Sequence, residues 1–282
     1  MESSNDGQLT VAHPPHQSLH IGRLVLFYGF VPVLVPIFAT YKLITDQVFR
    51  QSFFPISKNL YTLVSSATVQ PISKEWYYQD VTLLKKLWKL SSAKAYIDNV
   101  EYQTREGYCG SATQRCILRS FGLSGEKLPP QKQGETKPGK WCEHVTQMAK
   151  VQNVDLSTTI ISGDVSYDEF LLELRKGLAN DNVRIACNFL RSALMGFERI
   201  RYIPFHMLMH LMSGHFSPIL GLLERDYDGE EGVSDNPFVA IFDTNHKYGG
   251  CYLVPARRLY QAVRAVDLSA NTHRAIILVE KK

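Results

Sequence analysis

The chain has few cysteines, and it lacks the spacings that mark cysteine-rich structural sites. Its 282 residues include five, an odd number at wide spacings: Cys109, Cys116, Cys142, Cys187 and Cys251. No C-x-x-C pair occurs, which argues against a zinc ribbon or a thioredoxin-like motif. This pattern is typical of free thiols in a reducing compartment rather than of a secreted disulfide scaffold.

The sequence also lacks a strong excess of one charge sign. The formal net charge is +4, and basic residues are interspersed with acidic ones. A nucleic-acid partner is therefore not expected. Apolar residues make up 45% of the chain and charged residues 21%, a composition that supports a folded core.

One long uncharged stretch lies near the N-terminus. Residues 24–41 (LVLFYGFVPVLVPIFATY) are 18 residues between Arg23 and Lys42, which just reaches the length of a membrane-spanning helix. A cleaved signal peptide and a buried core helix are the alternatives. The basic residues Lys42, Arg50 and Lys58 follow the stretch, so the positive-inside rule places the C-terminal bulk in the cytosol.

The chain is accordingly divided into four parts. We expect a disordered tail over residues 1–21, a single-pass transmembrane anchor over 22–44, a connector over 45–75 and one catalytic domain over 76–282. The expected location is membrane-anchored, with the catalytic domain cytosolic.

Hydrophobic periodicity predicts the order of elements in the domain. Helices are expected over 81–100, 109–120 and 141–151, after the capping residue Ser166, and after Pro255. Strands are expected over 183–189, 217–223, 238–242 and 275–279. Helices that come first and strands that come later indicate an α+β domain.

The first segment with chemical potential runs from Gln103 to Cys109. A cysteine followed by small residues and a helical run lies at a helix N-terminus, where N–H groups and the dipole favour the thiolate. Gln103 can donate its side-chain amide to a developing oxyanion. A buried, inert cysteine near a turn is the alternative, and for this segment alone it is the commoner case.

Two later segments supply a base and an orienting group. His215 follows a glycine at the start of an apolar run, and Asp243 ends another. An aspartate there can accept the second imidazole N–H and fix its tautomer. Asn245 is an alternative orienter. A nucleophile that opens a helix, with histidine and aspartate on later strands, is the papain-type arrangement.

These segments resemble the catalytic domain of phytochelatin synthases over roughly residues 80–282. The resemblance lies in Gln103-x5-Cys109-Gly, in residues 188–191 (NFLR), in residues 214–219 (GHFSPI) with 224–226 (ERD) after them, and in Asp243. It implies a papain-like cysteine protease fold and a γ-glutamylcysteinyl acyl-enzyme formed from glutathione with release of glycine, in heavy-metal or glutathione-conjugate detoxification.

The resemblance also implies roles for individual residues. Cys109 is the expected nucleophile, His215 the base, Asp243 the orienter and Gln103 an oxyanion-hole donor. Arg191 falls where the family has an arginine near the substrate. Lys247 and Tyr248 loosely match a basic–aromatic pair after the aspartate, and we expect them to bind substrate.

The chain departs from the family pattern at several places. The Trp-rich stretch after the nucleophile helix is reduced to Lys140-Trp141, and Gly249-Gly250 replaces a Pro-Pro pair. An apolar insertion occupies residues 192–213, and an acidic one occupies 228–235. The Cys-rich C-terminal region of plant members is absent, which in the family goes with hydrolysis of glutathione more than with polymer synthesis.

No metal-ligand cluster is apparent in the sequence, although His206 and His210 form an i, i+4 pair. We expect no tightly bound cofactor; cadmium or zinc would enter as a metal–glutathione thiolate substrate. The expected partners are glutathione, a membrane through the N-terminal helix, and a second copy in a possible homodimer. Two other functions stay open: a membrane-associated papain-like peptidase or acyltransferase with another substrate, and a catalytically inactive scaffold.

Overall fold

The computed structural model describes most of the expected catalytic domain. The described residues are 70–133, 137–196, 214–224, 235–267 and 272–282, with four upstream positions, Ile37, Thr40, Tyr41 and Thr45. The expected tail lies outside them, as do most of the expected anchor and connector and most of both insertions. No helix within the described residues combines the length and the apolarity that a bilayer crossing requires.

The described residues form an α+β domain, as the sequence predicts. Its α helices are α1 (Val81–Leu87), α2 (Ser91–Lys94), α3 (Cys109–Ser120), α4 (Pro138–Lys150), α5 (Tyr167–Ala179), α6 (Arg191–Met195) and α7 (Ala256–Arg264). Its strands are β1 (Leu156–Ser162), β2 (Val183–Leu190), β3 (Gly214–Leu223), β4 (Phe238–Phe242), β5 (Cys251–Pro255), β6 (Val266–Asp267), β7 (Thr272–His273) and β8 (Ala275–Lys281).

Six strands form one antiparallel sheet in the order β1-β8-β2-β3-β4-β5, and β6 pairs with β7 separately. Every residue of β2 is buried, and so is nearly every residue of β3. Both faces of the sheet are therefore covered, which explains why these strands are continuous apolar runs rather than alternating ones. Helices α1, α2 and α3 pack against β3, while α5 and α7 pack against β2.

The single helix expected over residues 81–100 is wrong in extent. Asp80 caps α1 by accepting a 2.8 Å hydrogen bond from the Leu83 N–H, but Leu90 is extended, with φ −69° and ψ 141°. The chain bends there so that Leu87 and Leu90 close over β3 at Gly221, where an added Cβ would lie 2.8 Å from a Leu87 methyl group. Tertiary packing therefore divides one periodic pattern into two helices.

Other boundaries differ by a few residues. The predicted helix over 109–120 is confirmed as α3, and the Ser166 cap is confirmed, since its Oγ accepts from the Glu169 N–H at 3.2 Å. The helix after Pro255 is α7, but Val266, expected on its apolar face, belongs to β6. Strands β1 and β5 were not predicted. β1 is half-exposed and polar, and β5 is a short run between Gly250 and the Pro255 turn.

The sheet brings four chain segments to one edge. Because adjacent strands are antiparallel, the end of β2, the start of β3, the end of β4 and the start of β8 lie together. Arg191 follows β2, His215 is the second residue of β3, Asp243 follows β4, and Arg274 precedes β8. This edge is where residues distant in sequence can form a site.

Candidate active site

Cys109 is the first residue of α3 and is half-buried. The small residues after it let the helix end approach the sheet closely. The Trp141 indole N–H donates to the Gly110 carbonyl at 3.1 Å, and its ring stacks on Phe216 with a centroid distance of 5.7 Å. Trp141 thereby fastens the N-terminus of α3 to β3, one residue from His215.

His215 and Asp243 form a buried pair at the sheet edge. His215 Nε2 lies 2.7 Å from Asp243 Oδ1, and the two side chains are 2% and 0% exposed. The same carboxylate oxygen accepts from the Asn245 N–H at 2.8 Å, and Oδ2 accepts from the Tyr252 hydroxyl at 3.4 Å. Asp243 is thus held from three sides and can fix the orientation of the imidazole.

Cys109 lies close enough to this pair for the His215 side chain and the Phe216 backbone to lower the pKa of its thiol. Because Nε2 of His215 faces Asp243, Nδ1 is the ring nitrogen left to exchange a proton with the sulfur. The structure therefore brings Cys109, His215 and Asp243 together in the order that general-base activation of a thiol needs.

The surroundings of Cys109 and His215 shift both pKa values in the direction of thiolate and imidazolium. Burial alone would raise the pKa of Cys109, but the charge and hydrogen bond of His215, the Phe216 backbone and Arg191 together bring it below its ordinary value. Burial and Arg191 lower the pKa of His215, yet Asp243 and Cys109 outweigh them and bring it above its usual range. The pKa of Asp243 is lowered, since His215 and Arg191 offset the cost of burial.

The other four thiols have the opposite character. Burial raises the pKa of Cys116 to about 12, and it also raises the pKa of Cys142, Cys187 and Cys251. A thiolate near neutral pH is the reactive form of cysteine. Among the five thiols, Cys109 alone has the environment of a nucleophile.

Gln103 is buried on the approach to α3. Its backbone N–H donates to the Thr244 carbonyl at 2.7 Å, which ties this loop to the residue after Asp243. Its side-chain Nε2 lies 3.5 Å from Glu106 Oε2, at the limit of a hydrogen bond, and Oε1 is buried without a hydrogen-bond partner in the described structure. The amide is weakly engaged, so it is free to donate to an oxyanion.

Arg191 lies against the catalytic histidine. Its Nη2 is 2.7 Å from Nδ1 and 3.0 Å from Nε2 of His215. One atom cannot lie along both lone pairs, so the guanidinium contacts the face of the ring. The other side of Arg191 covers the Tyr248 ring, with Cζ 4.5 Å from the centroid. Its Nε is buried with no hydrogen-bond partner among the described residues.

Lys247 and Tyr248 are both at the site, but their partners differ. Tyr248 contacts Arg191, whereas Lys247 Nζ lies 2.9 Å from Glu106 Oε1 on an exposed rim. Asn245, the alternative orienter, donates its side-chain amide to Glu106 at 3.4 Å, and its side chain makes no hydrogen bond to His215 in the described part of the chain. Burial raises the pKa of Glu106, but Lys247 and Arg191 bring it below its ordinary value.

Sequence reasoning missed Glu106, Arg274 and Asp267. Glu106 stands three residues before the nucleophile and carried no motif signal. Arg274 is 1% exposed, and its Nη1 lies 3.0 Å from Asn188 Oδ1 and 3.4 Å from Asp267 Oδ2. Its Nε and Nη2 are buried without hydrogen-bond partners in the described part of the chain. Burial brings the pKa of Arg274 below its ordinary value, and the charges of Asp267 and Cys109 oppose that shift.

Both arginines therefore keep buried N–H donors without partners among the described residues, Nε in Arg191 and both Nε and Nη2 in Arg274. Buried donors without acceptors are rare, because each costs the desolvation of an N–H group. Arg191 and Arg274 approach the sheet edge from different strands. The charge of Arg191 lowers the pKa of Cys109, and the charge of Cys109 acts to raise the pKa of Arg274. The arrangement can bind a ligand with two anionic groups beside a thiolate.

A metal site is not apparent at this edge or elsewhere in the described residues, where no three histidine, cysteine or acidic side chains are close enough to share an ion. His206 and His210 fall in the segment outside the described residues.

No protein-family model matches the chain, and no curated protein matches it.

Proposed function

We propose that the chain is a glutathione γ-glutamylcysteinyltransferase similar to phytochelatin synthases, with a papain-like fold and a cytosolic catalytic domain anchored by residues 22–44. The observation that carries the proposal is the grouping of Cys109, His215 and Asp243 at the same sheet edge as the buried guanidinium groups of Arg191 and Arg274. A thiol nucleophile with two cations suits a small peptide that has two carboxylates, and glutathione is such a peptide.

Charge at the site matches the two ends of glutathione. Arg274 and Asp267 form a buried cation–anion pair, 3.4 Å apart, complementary to the α-carboxylate and α-ammonium of the γ-glutamyl group. Arg191, which contacts His215, suits the glycine carboxylate. Guanidinium groups bind carboxylates through paired N–H donors. Arg274 has two buried donors without partners among the described residues, Nε and Nη2, and Arg191 has one, Nε.

The chemistry would run in two half-reactions. The Cys109 thiolate attacks the carbonyl carbon of the cysteinyl–glycine amide, and the oxygen gains the negative charge. N–H groups at the start of α3 and the Gln103 amide stabilise that oxyanion. Protonated His215 gives its Nδ1 proton to the glycine nitrogen, the C–N bond breaks, and a γ-glutamylcysteinyl thioester remains on Cys109.

In the second half-reaction His215 takes a proton from the acceptor. Water then gives γ-glutamylcysteine, and the amine of another glutathione gives a chain-extended peptide. Either attack expels the Cys109 thiolate and restores the enzyme. Cadmium or zinc would take part as a metal–glutathione thiolate, which is a form of the substrate.

Incubation of the purified chain with glutathione, with and without cadmium, tests the proposal. Glycine release together with γ-glutamylcysteine or longer peptides is expected, and Cys109→Ser should abolish all of them. Cys142→Ser is the matched control, because Cys142 lies in α4 with a raised pKa. Release of glycine by Cys109→Ser would refute the mechanism; no release by the unaltered chain would refute the substrate.

A further inference from the structure

The first two helices carry an unusual surface, which we call the lysine face. It consists of the outward side of α1, α2 and the turns around them, with the lysines at positions 74, 85, 86, 89 and 94. Two acidic residues, Glu75 and Asp80, occur in the same 21 residues, and the Asp80 carboxylate is used to cap α1. The lysine face is therefore clearly cationic, although the whole chain is not.

The lysines of this face lack ion-pair partners among the described residues. Elsewhere in the described structure Lys140, Lys176 and Lys247 each lie within 3 Å of a carboxylate oxygen, at 2.7, 2.8 and 2.9 Å. None of the five lysines of the lysine face has such a contact within the described ranges. Their charge is available to a partner outside the domain.

Exposed apolar side chains occur in the same stretch of the chain. Trp76 is 59% exposed, Val81 43% and Ile97 41%, whereas the inward residues of α1 are buried against β3. The Trp76 ring is anchored at its base by an edge contact to Phe238, with a centroid distance of 5.9 Å. A tryptophan held rigidly and more than half exposed is a feature of interaction surfaces.

We propose that the lysine face docks on an anionic lipid membrane. Indole rings favour the headgroup region of a bilayer, and lysines beside them are attracted to acidic lipids. A nucleic acid fits less well, because no arginine occurs between Arg50 and Arg105 and guanidinium groups dominate phosphate-backbone contacts in such sites. Lysine ammonium groups suit a diffuse anionic surface, because binding to such a surface does not need the paired N–H donors of a guanidinium group.

The lysine face lies far from the catalytic edge along β3. The face covers β3 near Gly221, six residues along the strand from His215, or about 20 Å at the rise of a β-strand. The catalytic edge is at the other end of that strand. A domain docked by the lysine face would keep Cys109 and its cleft open to water-soluble substrate.

The full chain in lipid nanodiscs provides the test. Tryptophan fluorescence is recorded in phosphatidylcholine discs with or without phosphatidylserine, each carrying brominated phosphatidylcholine as a quencher. The chain has three tryptophans, at positions 76, 88 and 141, and none lies in the uncharged segment 24–41. An inserted anchor therefore contributes no tryptophan signal, and quenching reports on the domain surface.

We expect quenching only in the discs with phosphatidylserine, and its loss in Trp76→Ala, in the triple variant K85Q/K89Q/K94Q, and at high salt. The triple variant K127Q/K150Q/K281Q removes three exposed lysines elsewhere and should be quenched like the unaltered chain. Equal quenching in both lipids, or quenching that survives K85Q/K89Q/K94Q, would overturn the proposal. Lysine-dependent binding to RNA or to an acidic peptide without quenching would assign the face to another partner.

Discussion

His215 Nε2 lies 2.7 Å from Asp243 Oδ1, and both side chains are buried where β3 begins and β4 ends. The contact commits one ring nitrogen to the carboxylate and leaves the other for Cys109. Replacement of Asp243 by Asn removes the charge that supports the imidazolium and permits the wrong tautomer. We expect Asp243→Asn to lower kcat by roughly 10³–10⁴-fold, by analogy with triad enzymes.

Circular dichroism and a thermal melt must show that Asp243→Asn is folded. Asn245→Ala is the control for this position, because Asn245 contacts Glu106 through its side chain and the catalytic pair through its backbone. A kcat near that of the unaltered chain in Asp243→Asn would contradict the assigned role.

Labelling of Cys109 should begin at a lower pH than labelling of an ordinary thiol. The thiolate is lost only as pH falls through the pKa of Cys109, which is lowered. Half-maximal iodoacetamide labelling is therefore expected below the ordinary pKa of a thiol, which is about 8.5. Peptide mass mapping should find label on Cys109 and not on Cys116.

The variant His215→Gln distinguishes activation of Cys109 by His215 from labelling that depends only on the exposure of the thiol. Without the imidazolium, which lowers the pKa of Cys109, the labelling of Cys109 should shift to higher pH. An unchanged pH profile, or equal labelling of Cys109 and Cys116 in the folded chain, would show that Cys109 is not activated and would favour the inactive scaffold.

The two arginines should serve different carboxylates of glutathione. Replacement by lysine keeps the charge and removes the forked donors, so Arg191→Lys and Arg274→Lys should each lower kcat/KM by about 10–100-fold, the range of a lost charged hydrogen bond. The Arg191→Lys loss should be smaller with glutathione whose glycine carboxylate is an amide, and the part that remains reflects the contact of Arg191 with His215. The Arg274→Lys loss should persist with that analogue.

Arg184→Lys is the matched control for a buried arginine, because its guanidinium bonds Ser120 on α3 away from the sheet edge. The amide analogue could rescue neither arginine variant, or it could rescue both. Either result would show that the two carboxylates are assigned to the wrong arginines, even if the chain releases glycine from glutathione.

Trp141 should matter for stability and for the site together. Its indole N–H contacts Gly110 and its ring stacks on Phe216. Trp141→Ala should reduce the free energy of unfolding by about 3–5 kcal/mol, as large cavities do. Trp141→Phe keeps much of the packing and should cost less, but the position of Cys109 would loosen and kcat should fall. Denaturant titration and steady-state kinetics measure the two effects.

The sequence predicted the elements that local pattern determines. α3 follows from a cysteine and small residues ahead of a helical run, and β2 and β4 follow from continuous apolar residues. β1 was missed because its middle positions, Thr159 and Ile160, are exposed. The division of residues 81–94 into two helices depends on the approach of Gly221 in β3, which no local pattern contains.

The site was predictable only in part, for the same reason. Cys109, His215, Asp243 and Arg191 could be proposed from motif and resemblance, and the structure brings them together. Arg274 and Asp267 belong to the two-stranded turn before β8. Only the order of strands in the sheet brings them to the edge where Cys109 lies. Glu106 had no motif signal, and its contacts with Gln103 and Lys247 depend on how two loops meet.

The central claim is that Cys109 carries a γ-glutamylcysteinyl group during the reaction. Intact-mass analysis of the chain after rapid mixing with glutathione and acid quenching tests it directly. We expect a mass increase of one γ-glutamylcysteinyl group. The increase should map to the Cys109 peptide and should be absent in Cys109→Ala. Glycine released with no adduct at any mixing time, or an adduct mapped to another residue, would contradict it.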